Sequence, residues 1–341
     1  MSPQLFSLII FLSILFFASA YWFWRYFRHK RFKRDLDLRL LSIRLPLKNS
    51  STNTGENQKD PLTEIANTAQ LLSVLVNAEA SFSLEVAVHN VGEEIVFYLA
   101  VPKKIVEFTK RQIEGLWSGA QIDLVTEDYT IFNASGDSQL ATVKLKKHFA
   151  LPFRSYIEAE LDTFATILSN FSKINAVGEG LALQLVIKPI PKDAKKKIAK
   201  AIIELKKGKK IGDVLEPSFF DFLGKQGSKK KKEEENKMEE PKILDEEAIK
   251  SLEQKISKPL FSVNVRVCAS APTPYRTSEL LDGVLGSFAQ FEAPLRNEFK
   301  IVKLGSSRTG LFKFIFREFE EGSAMILNAD EVTSIFHFPI S

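Results

Sequence analysis

The strongest constraint on the fold comes from an uncharged apolar segment near the N-terminus, residues Leu5 to Trp24. At about 1.5 Å per residue, a helix of this length spans the roughly 30 Å hydrocarbon core of a bilayer. A basic cluster follows the segment, whereas no Lys or Arg precedes it. We therefore expect a single-pass helix in the cytoplasmic membrane, with the N-terminus outside and the rest of the chain in the cytoplasm. The residues expected at the membrane interface are Tyr21, Trp22, Trp24, Arg25, Arg28, Lys30, Arg31, Lys33 and Arg34.

Two alternatives to this anchor fit the pattern less well. Ala18, Ser19 and Ala20 resemble the cleavage site of a secretory signal peptide. A signal peptide, however, carries its positive charge before the apolar stretch, and here the charge follows it. A lone buried core helix also fits less well, because the segment is apolar all round and its two flanks differ sharply in charge.

The net charge of the chain is concentrated in the same region. The 341 residues include 47 basic and 42 acidic side chains, which gives +5 and a pI near 9.0. Residues 1–34 hold six of the basic side chains and no acidic one, so 41 basic and 42 acidic side chains remain elsewhere. The hydrophobic fraction of 45% excludes global disorder. The single cysteine, Cys268, excludes an intramolecular disulfide framework.

After the basic cluster, strand and helix patterns alternate in two similar rounds. The first round predicts strands over 35–47, 81–89, 94–102 and 121–127, and helices over 61–76 and 104–117. The second predicts strands over 141–149, 180–189, 259–269, 298–304 and 310–319, and helices over 163–174 and 277–291. Because β-α-β-β-α-β is the ferredoxin-like order, we expect an α+β fold with two ferredoxin-like α/β-sandwich modules behind the transmembrane helix. The expected boundaries are 1–34 for the anchor, 35–135 for the first module and 136–341 for the second.

A long insertion, residues 190–258, interrupts the second module. Residues 193–207 have the amphipathic period of a helix, 229–240 form charge blocks typical of a disordered linker, and 245–257 predict a further helix. Lys195, Lys196, Lys197 and Lys200 are candidates for contact with a polyanion such as DNA or anionic lipid. The competing interpretation is an ordinary solvated helix face, and the lack of Arg and aromatic residues in 188–210 argues against base recognition.

No catalytic motif is present in the sequence. The chain lacks a P-loop, a G-x-S-x-G elbow and an H-E-x-x-H zinc motif. Its histidines are His29, His89, His148 and His337, and none has a neighbour at metal-ligand spacing. Cys268 lies in an apolar strand and is expected to be a small buried hydrophobe. We therefore predict no catalytic residue, no metal and no cofactor.

Several segments together resemble the region that precedes the motor domain in membrane-anchored type IV secretion and conjugative DNA-transfer ATPases. They are the N-terminal apolar segment with its basic exit, the Glu-Asp-Tyr-Thr turn at 127–130, and the segments 143–156, 161–191 and 325–339. In that family the last segment leads into a RecA-like motor that carries a P-loop. This chain ends two residues after Pro339, so the resemblance implies a motor on a separate polypeptide, or a split or truncated member of the family.

With no catalytic motif in the chain, this resemblance implies a non-enzymatic component of a type IV secretion-like translocation system that positions or assembles with a separate motor ATPase. A membrane-tethered protein that binds DNA or anionic lipid through the lysine-rich insertion is the alternative. An enzyme with a pocket at the seam between the two modules is a third reading. The partners expected are the lipid bilayer, a P-loop motor ATPase or other secretion components, and further copies of the chain as a homo-oligomer.

Overall fold

A computed structural model describes residues 15–19, 21–23, 37–46, 61–77, 81–92, 94–174, 177–190, 193–209, 214, 246–294 and 296–339. Its strands are β1 (Leu38–Arg44), β2 (Phe82–Val88), β3 (Ile95–Pro102), β4 (Gln121–Leu124), β5 (Asp137–Leu145), β6 (Gly180–Pro189), β7 (Leu260–Ala271), β8 (Phe299–Gly305) and β9 (Met325–Asn328). The helices are α1 (Pro61–Leu75), α2 (Val106–Leu116), α3 (Tyr156–Ala159), α4 (Thr163–Leu168), α5 (Asp193–Lys206), α6 (Glu246–Ser257), α7 (Pro274–Gly286), α8 (Arg308–Ile315) and α9 (Ala329–Ile335).

All nine strands belong to one antiparallel sheet. Eight of them follow the order β4-β1-β3-β2-β6-β7-β5-β8, and β9 pairs with the first residues of β7. Residues 38–124 supply β1 to β4 and residues 137–305 supply β5 to β8, and we call these two sets of strands the two halves. The two halves meet where β2 pairs with β6, from Phe82 opposite Ile187 to Val88 opposite Leu181.

The expected architecture of a transmembrane helix followed by two ferredoxin-like modules is therefore wrong. The strands of both halves form a single continuous sheet, in which β2 pairs with β6. Both strands are buried along almost their whole length. An unpaired apolar edge strand would expose backbone donors and acceptors together with apolar side chains, and edge-to-edge pairing removes both. The boundary expected near residue 135 thus does not separate two sheets.

The predicted transmembrane helix is also not supported. Within Leu5 to Trp24 the structure describes helix only at 15–19 and 21–23. Among the described residues, no helix combines the length and the apolar character that crossing a bilayer requires. The rest of that segment and the basic cluster up to Arg34 lie outside the described residues, as does the predicted linker at 229–240.

One predicted strand, 310–319, is a helix instead. Ser307 caps the N-terminus of α8 by accepting a hydrogen bond from the backbone N–H of Gly310. The apolar residues of this short segment fit both the 3.6-residue period of a helix and the two-residue period of a strand, so packing determines which of the two forms. As a helix, α8 buries Phe314 against the sheet and leaves Phe312 exposed.

The two faces of the sheet are covered differently. On the helical face, α1, α4, α7 and α9 pack over a large core rich in phenylalanine. The segment 325–338 lies almost wholly buried in that core. On the opposite face, which we call the second face, α8 and the segment 125–132 cover a smaller cluster. Beside the sheet, α5 and α6 pack against each other over Ile198, Ile202 and Leu252.

Candidate functional site

A buried cluster of charged side chains lies on the second face where the two halves meet. Glu85, in the middle of β2, is fully buried. Arg317 follows α8 and donates to both oxygens of Glu85, at 2.8 Å from Nε and 3.0 Å from Nη2. The same guanidinium donates to Asp128 at 2.6 and 2.9 Å. One arginine therefore holds two carboxylates in bidentate pairs, the strongest form of charge-assisted hydrogen bond.

The backbone around Arg317 positions its side chain for this contact. Arg317 has φ 53°, in the left-handed region that residues other than glycine seldom occupy. This residue follows the end of α8, and its N–H donates to the carbonyl of Phe314 at 3.1 Å. The left-handed residue ends the helix and turns the guanidinium back toward the sheet, so the two carboxylates offset the local strain.

Neutral groups complete the coordination of Glu85. The hydroxyl of Ser83 donates to Glu85 Oε1 at 2.6 Å, and that of Tyr129 donates to Oε2 at 2.8 Å. The amide of Gln184 on β6 donates to Oε1 at 3.1 Å. The bond between Glu85 and Gln184 connects β2 of the first half to β6 of the second half. Gln184 in turn accepts a hydrogen bond from Arg266 of β7 at 3.2 Å. Every hydrogen-bonding direction of the Glu85 carboxylate is occupied.

The pKa values in this cluster reflect its burial and its charges. Burial, the Glu85 charge and the hydrogen bond to Glu85 raise the pKa of Tyr129 well above its ordinary value, so the phenol stays a donor. Burial acts to lower the pKa of Arg317, but Glu85 and Asp128 outweigh it and the pKa is raised. Burial lowers the pKa of Arg266 to about 10, still well above neutral pH. Both arginines therefore remain charged at neutral pH.

A pocket of about 200 Å³ opens beside this cluster. Its walls come from the segment 128–132 on one side and from the end of α8 on the other, with Gln184 between them. Two aromatic rings, Phe132 and Phe314, meet at 89° with their centroids 6.4 Å apart. The lining residues are Asp128, Tyr129, Thr130, Ile131, Phe132, Gln184, Phe314, Ile315 and Arg317. Ile315, 44% exposed, continues the apolar surface to the outside, where Phe312 is 43% exposed.

The polar groups of the pocket are engaged within the protein. Gln184 donates to Glu85 and to the carbonyl of Phe314, and Arg317 is held by its two carboxylates. A general acid or base needs a proton that can be exchanged with a substrate, and these groups are tied to one another instead. Cys268 belongs to the apolar cluster on the second face and is fully buried, and burial raises the pKa of its thiol. The geometry therefore suits the insertion of an apolar group.

The lysines predicted to contact polyanions lie on α5. Lys196 and Lys200 are exposed, Lys195 is half-buried, and of Lys197 only the backbone is described. Lys207, just after α5, continues the row of Lys196 and Lys200 at helical spacing, with the exposed Ile203 between them. The opposite side of α5 is buried against α6, so the basic side is directed outward.

The residues predicted at a membrane interface are mostly outside the described part of the chain. Tyr21 and Trp22 are described and are exposed. Trp24, Arg25, Arg28, Lys30, Arg31, Lys33 and Arg34 lie outside the described residues.

The described histidines are separated in the structure. His89 Nε2 lies 2.6 Å from the hydroxyl of Tyr98, and His337 Nε2 lies 2.8 Å from Asp162. His148 Nδ1 accepts from the backbone N–H of Ala150 at 3.2 Å. Within the described ranges, no group of three or more His, Cys, Asp or Glu side chains is arranged to hold a metal ion.

Sequence reasoning missed the buried charged cluster. The signal for it was a single charge in the middle of an otherwise apolar strand, Glu85 in β2 and Arg266 in β7. A buried charge is retained only when it is paired, so each such residue predicts a partner. The partner itself could not be read from the sequence, because Arg317 lies 232 residues from Glu85.

Comparison with known protein families gives a match that covers most of the chain. Residues 33–341 match a family described as a domain of unknown function, DUF8128. No curated protein is significantly similar to the chain. Since the matched region includes all of the sheet, the pocket and both helices of the insertion, the chain belongs to the DUF8128 family.

Proposed function

We propose that this protein is a non-enzymatic component of a translocation system of the type IV secretion kind, and that it assembles with a separate P-loop motor ATPase. The observation that carries the proposal is the apolar pocket of about 200 Å³ on the second face. The pocket's polar groups are engaged within the protein, and its open side continues into exposed apolar side chains. A site built in this way binds an apolar side chain of another protein.

The charged cluster gives this site a fixed shape. Arg317 joins the end of α8 to β2 and to the turn at Asp128, and these elements form the two walls of the pocket. Preformed pockets are where apolar or aromatic anchor residues of a partner contribute most of the binding free energy. The rim residues Phe312 and Ile315 add apolar contact area around such an anchor.

The class of partner comes from the resemblance of the chain to the region that precedes a motor domain. The Glu-Asp-Tyr-Thr turn at 127–130, one of the segments that carry the resemblance, forms part of a pocket wall. We place the contact with the motor at this pocket and at the exposed side of α8.

The proposal is tested with a purified complex. The full-length chain is isolated with its partners, any P-loop ATPase among them is identified, and the two purified proteins are titrated against each other. Ile315→Asp places a carboxylate at the rim and is expected to weaken binding at least about tenfold, which corresponds to about 1.4 kcal/mol. Ile203→Asp is the matched control, since Ile203 is similarly exposed but lies on α5.

Two results would overturn the proposal. One is that no P-loop ATPase binds the purified chain, or that Ile315→Asp binds as tightly as Ile203→Asp. The other is that the purified chain itself turns over a substrate at a rate that depends on residues of the pocket.

A second function, binding of a polyanion, is favoured by the basic side of α5. Lys196, Lys200 and Lys207 form one row about 16 Å long, at about 1.5 Å per residue, on a helix fixed by its buried side. Binding of single-stranded DNA or of vesicles with anionic lipid should weaken steeply with added salt. Changing Lys195, Lys196, Lys197 and Lys200 to Gln should abolish it. Affinity equal to that of a control with Lys103 and Lys104 changed to Gln would exclude this function.

A further inference from the structure

The number of strands in the sheet determines the relative direction of its two outer strands, β4 and β8. Along the path from β4 to β8 there are eight strands, and every neighbouring pair is antiparallel. Because eight is an even number, β4 and β8 run in opposite directions. A second copy placed in the same orientation can therefore pair its β4 with β8 of the first copy, and the sheet continues as an antiparallel sheet.

Both outer strands are accessible in the described part of the chain. Neither β4 nor β8 has a strand partner on its outer side among the described residues. On β8, Ile301 and Leu304 are each 39% exposed, and on β4 Leu124 is 49% exposed. Exposed edges with apolar side chains are the sites at which strands of another chain add.

The charges of the two edges are opposite. Lys300 on β8 is exposed and pairs with no carboxylate among the described residues. On β4, Asp123 is exposed, and its nearest cation, Arg44, is 3.5 Å away and half exposed itself. An exposed pair at that distance is weak, so Asp123 can take a new partner.

The faces of the two strands also match. Across β1, Ile122 lies opposite Ile43, and across β5, Ile301 lies opposite Val143. Since Ile43 and Val143 both belong to the core on the helical face, Ile122 and Ile301 lie on that face as well. Antiparallel pairing that sets Ile122 opposite Ile301 sets Asp123 opposite Lys300. One register thus brings both the apolar residues and the opposite charges together.

Pairing of two identical edges is less favourable. Two β8 strands side by side would bring the exposed Lys300 of both copies onto one short ladder, and like charges on facing strands repel. Lys303, in contrast, is paired with Asp282 at 2.6 Å. Lysines on an edge strand often serve only to prevent such pairing. Here the apolar Ile301 between the two lysines and the acidic β4 edge favour a heterologous contact.

We propose that β4 of one copy pairs with β8 of the next copy, head to tail, with Asp123 opposite Lys300. Such a contact uses two different surfaces, so it builds a ring or an open filament and not a closed two-fold dimer. It involves no residue that lines the pocket on the second face, and it therefore goes beyond the proposed function. Failure of the self-assembly would not affect binding of a motor at the pocket.

A cysteine cross-link tests the register directly. Paired residues on antiparallel strands have Cα atoms about 4.5–5.5 Å apart, within the range that a disulfide bridges. Full-length chains carrying Asp123→Cys are mixed with chains carrying Lys300→Cys, in a mild detergent that keeps the apolar residues 5–24 apart. The native Cys268 is fully buried and does not compete. We expect a covalent dimer after mild oxidation of the mixture and little or none from either variant alone.

Charge exchange gives an independent test that does not depend on cysteine. Asp123→Lys and Lys300→Glu should each lose self-association in sedimentation, and an equimolar mixture of the two should regain it. Glu114→Lys and Lys104→Glu change exposed residues outside both edge strands, and these variants should associate as the unchanged chain does. A mixture of the cysteine variants that yields no dimer, or a chain that stays monomeric at all concentrations, would overturn the proposal. So would a Lys300→Glu variant that associates normally.

Discussion

The two faces of the sheet hold their covering elements by different interactions. On the helical face, Phe336 packs on Phe97, Phe164 and Phe338 with ring centroids 5.3–5.9 Å apart. On the second face, Arg317 and its two carboxylates attach α8 and the segment 125–132 to β2. The first face is stabilised mainly by apolar area, and the second by a few buried charges.

This difference separates a structural face from an adaptable one. Burial of apolar area depends little on pH or salt, whereas a buried ion pair is strongly destabilising when one partner is lost. The pocket lies on the charged face, where Ile315 and Phe312 remain exposed. We therefore expect the helical face to determine whether the chain folds, and the second face to determine what it binds.

The largest effect is expected from Phe336→Ala. Phe336 is fully buried, and its truncation leaves a cavity in the aromatic core of the helical face. The free energy of unfolding should fall by about 4 kcal/mol. Urea unfolding at pH 8 and at pH 5.5 should give the same loss, because no charge is involved. A loss below about 1 kcal/mol would contradict the account of this face.

Arg317→Met should cost about 3 kcal/mol, because Glu85 stays buried without its cation. The loss is expected near the lower end of the usual range, since Asp128 is half exposed and is rehydrated. Combining Arg317→Met with Glu85→Gln should recover part of the stability. A double variant that is less stable than Arg317→Met alone would show that Glu85 is not the group left uncompensated.

Ser83→Ala should cost about 1.5 kcal/mol, because the lost hydrogen bond of 2.6 Å ends on a buried carboxylate. Ser73→Ala is the matched control, since the Ser73 hydroxyl donates to a neutral carbonyl of α1 at 2.8 Å. The control should lose less free energy of unfolding than Ser83→Ala. Equal losses in urea unfolding would contradict a special role for charge on the second face.

The smallest effect concerns His89, whose ring stacks with Tyr98 and Tyr129 on the second face. Burial lowers the pKa of His89 below 6.5, although Glu94 acts in the opposite direction. The unfolded chain then takes up the proton more readily, so stability is lost as the pH falls below 6.5. His89→Gln should reduce the difference in urea midpoint between pH 7.5 and pH 5.5. The pKa of His148 is lowered too, so this variant should keep part of the difference between the two pH values. A difference in urea midpoint as large as that of the unchanged chain would contradict the role given to His89.

Local structure could be predicted from the sequence far better than the arrangement of the sheet. The patterns of 61–76 and 94–102 locate α1 and β3, because helix and strand periods are local signals. The pairing of β2 with β6 joins residues about one hundred positions apart, and the sequence of neither strand indicates which strand it pairs with. The run at 310–319 suits both periods, and only the packing of Phe314 on the sheet decides for a helix.

The candidate site was the least predictable part. Glu85 and Arg266 stand out as charges in apolar strands, but their partners come from distant segments. The position of Arg317 depends on its left-handed backbone conformation after α8, and no glycine or asparagine at this position predicts that conformation. The lysines of α5, in contrast, were located from their helical spacing alone.

We expect the second face to bind the proposed partner and the helical face not to bind it. Amide hydrogen exchange of the full-length chain, alone and in complex with the motor ATPase that we propose as its partner, tests this most directly. We expect slower exchange in the complex at 128–132 and 312–317, and unchanged exchange at 325–338. Protection confined to 325–338 or to α5, with none at 128–132 and 312–317, would contradict it.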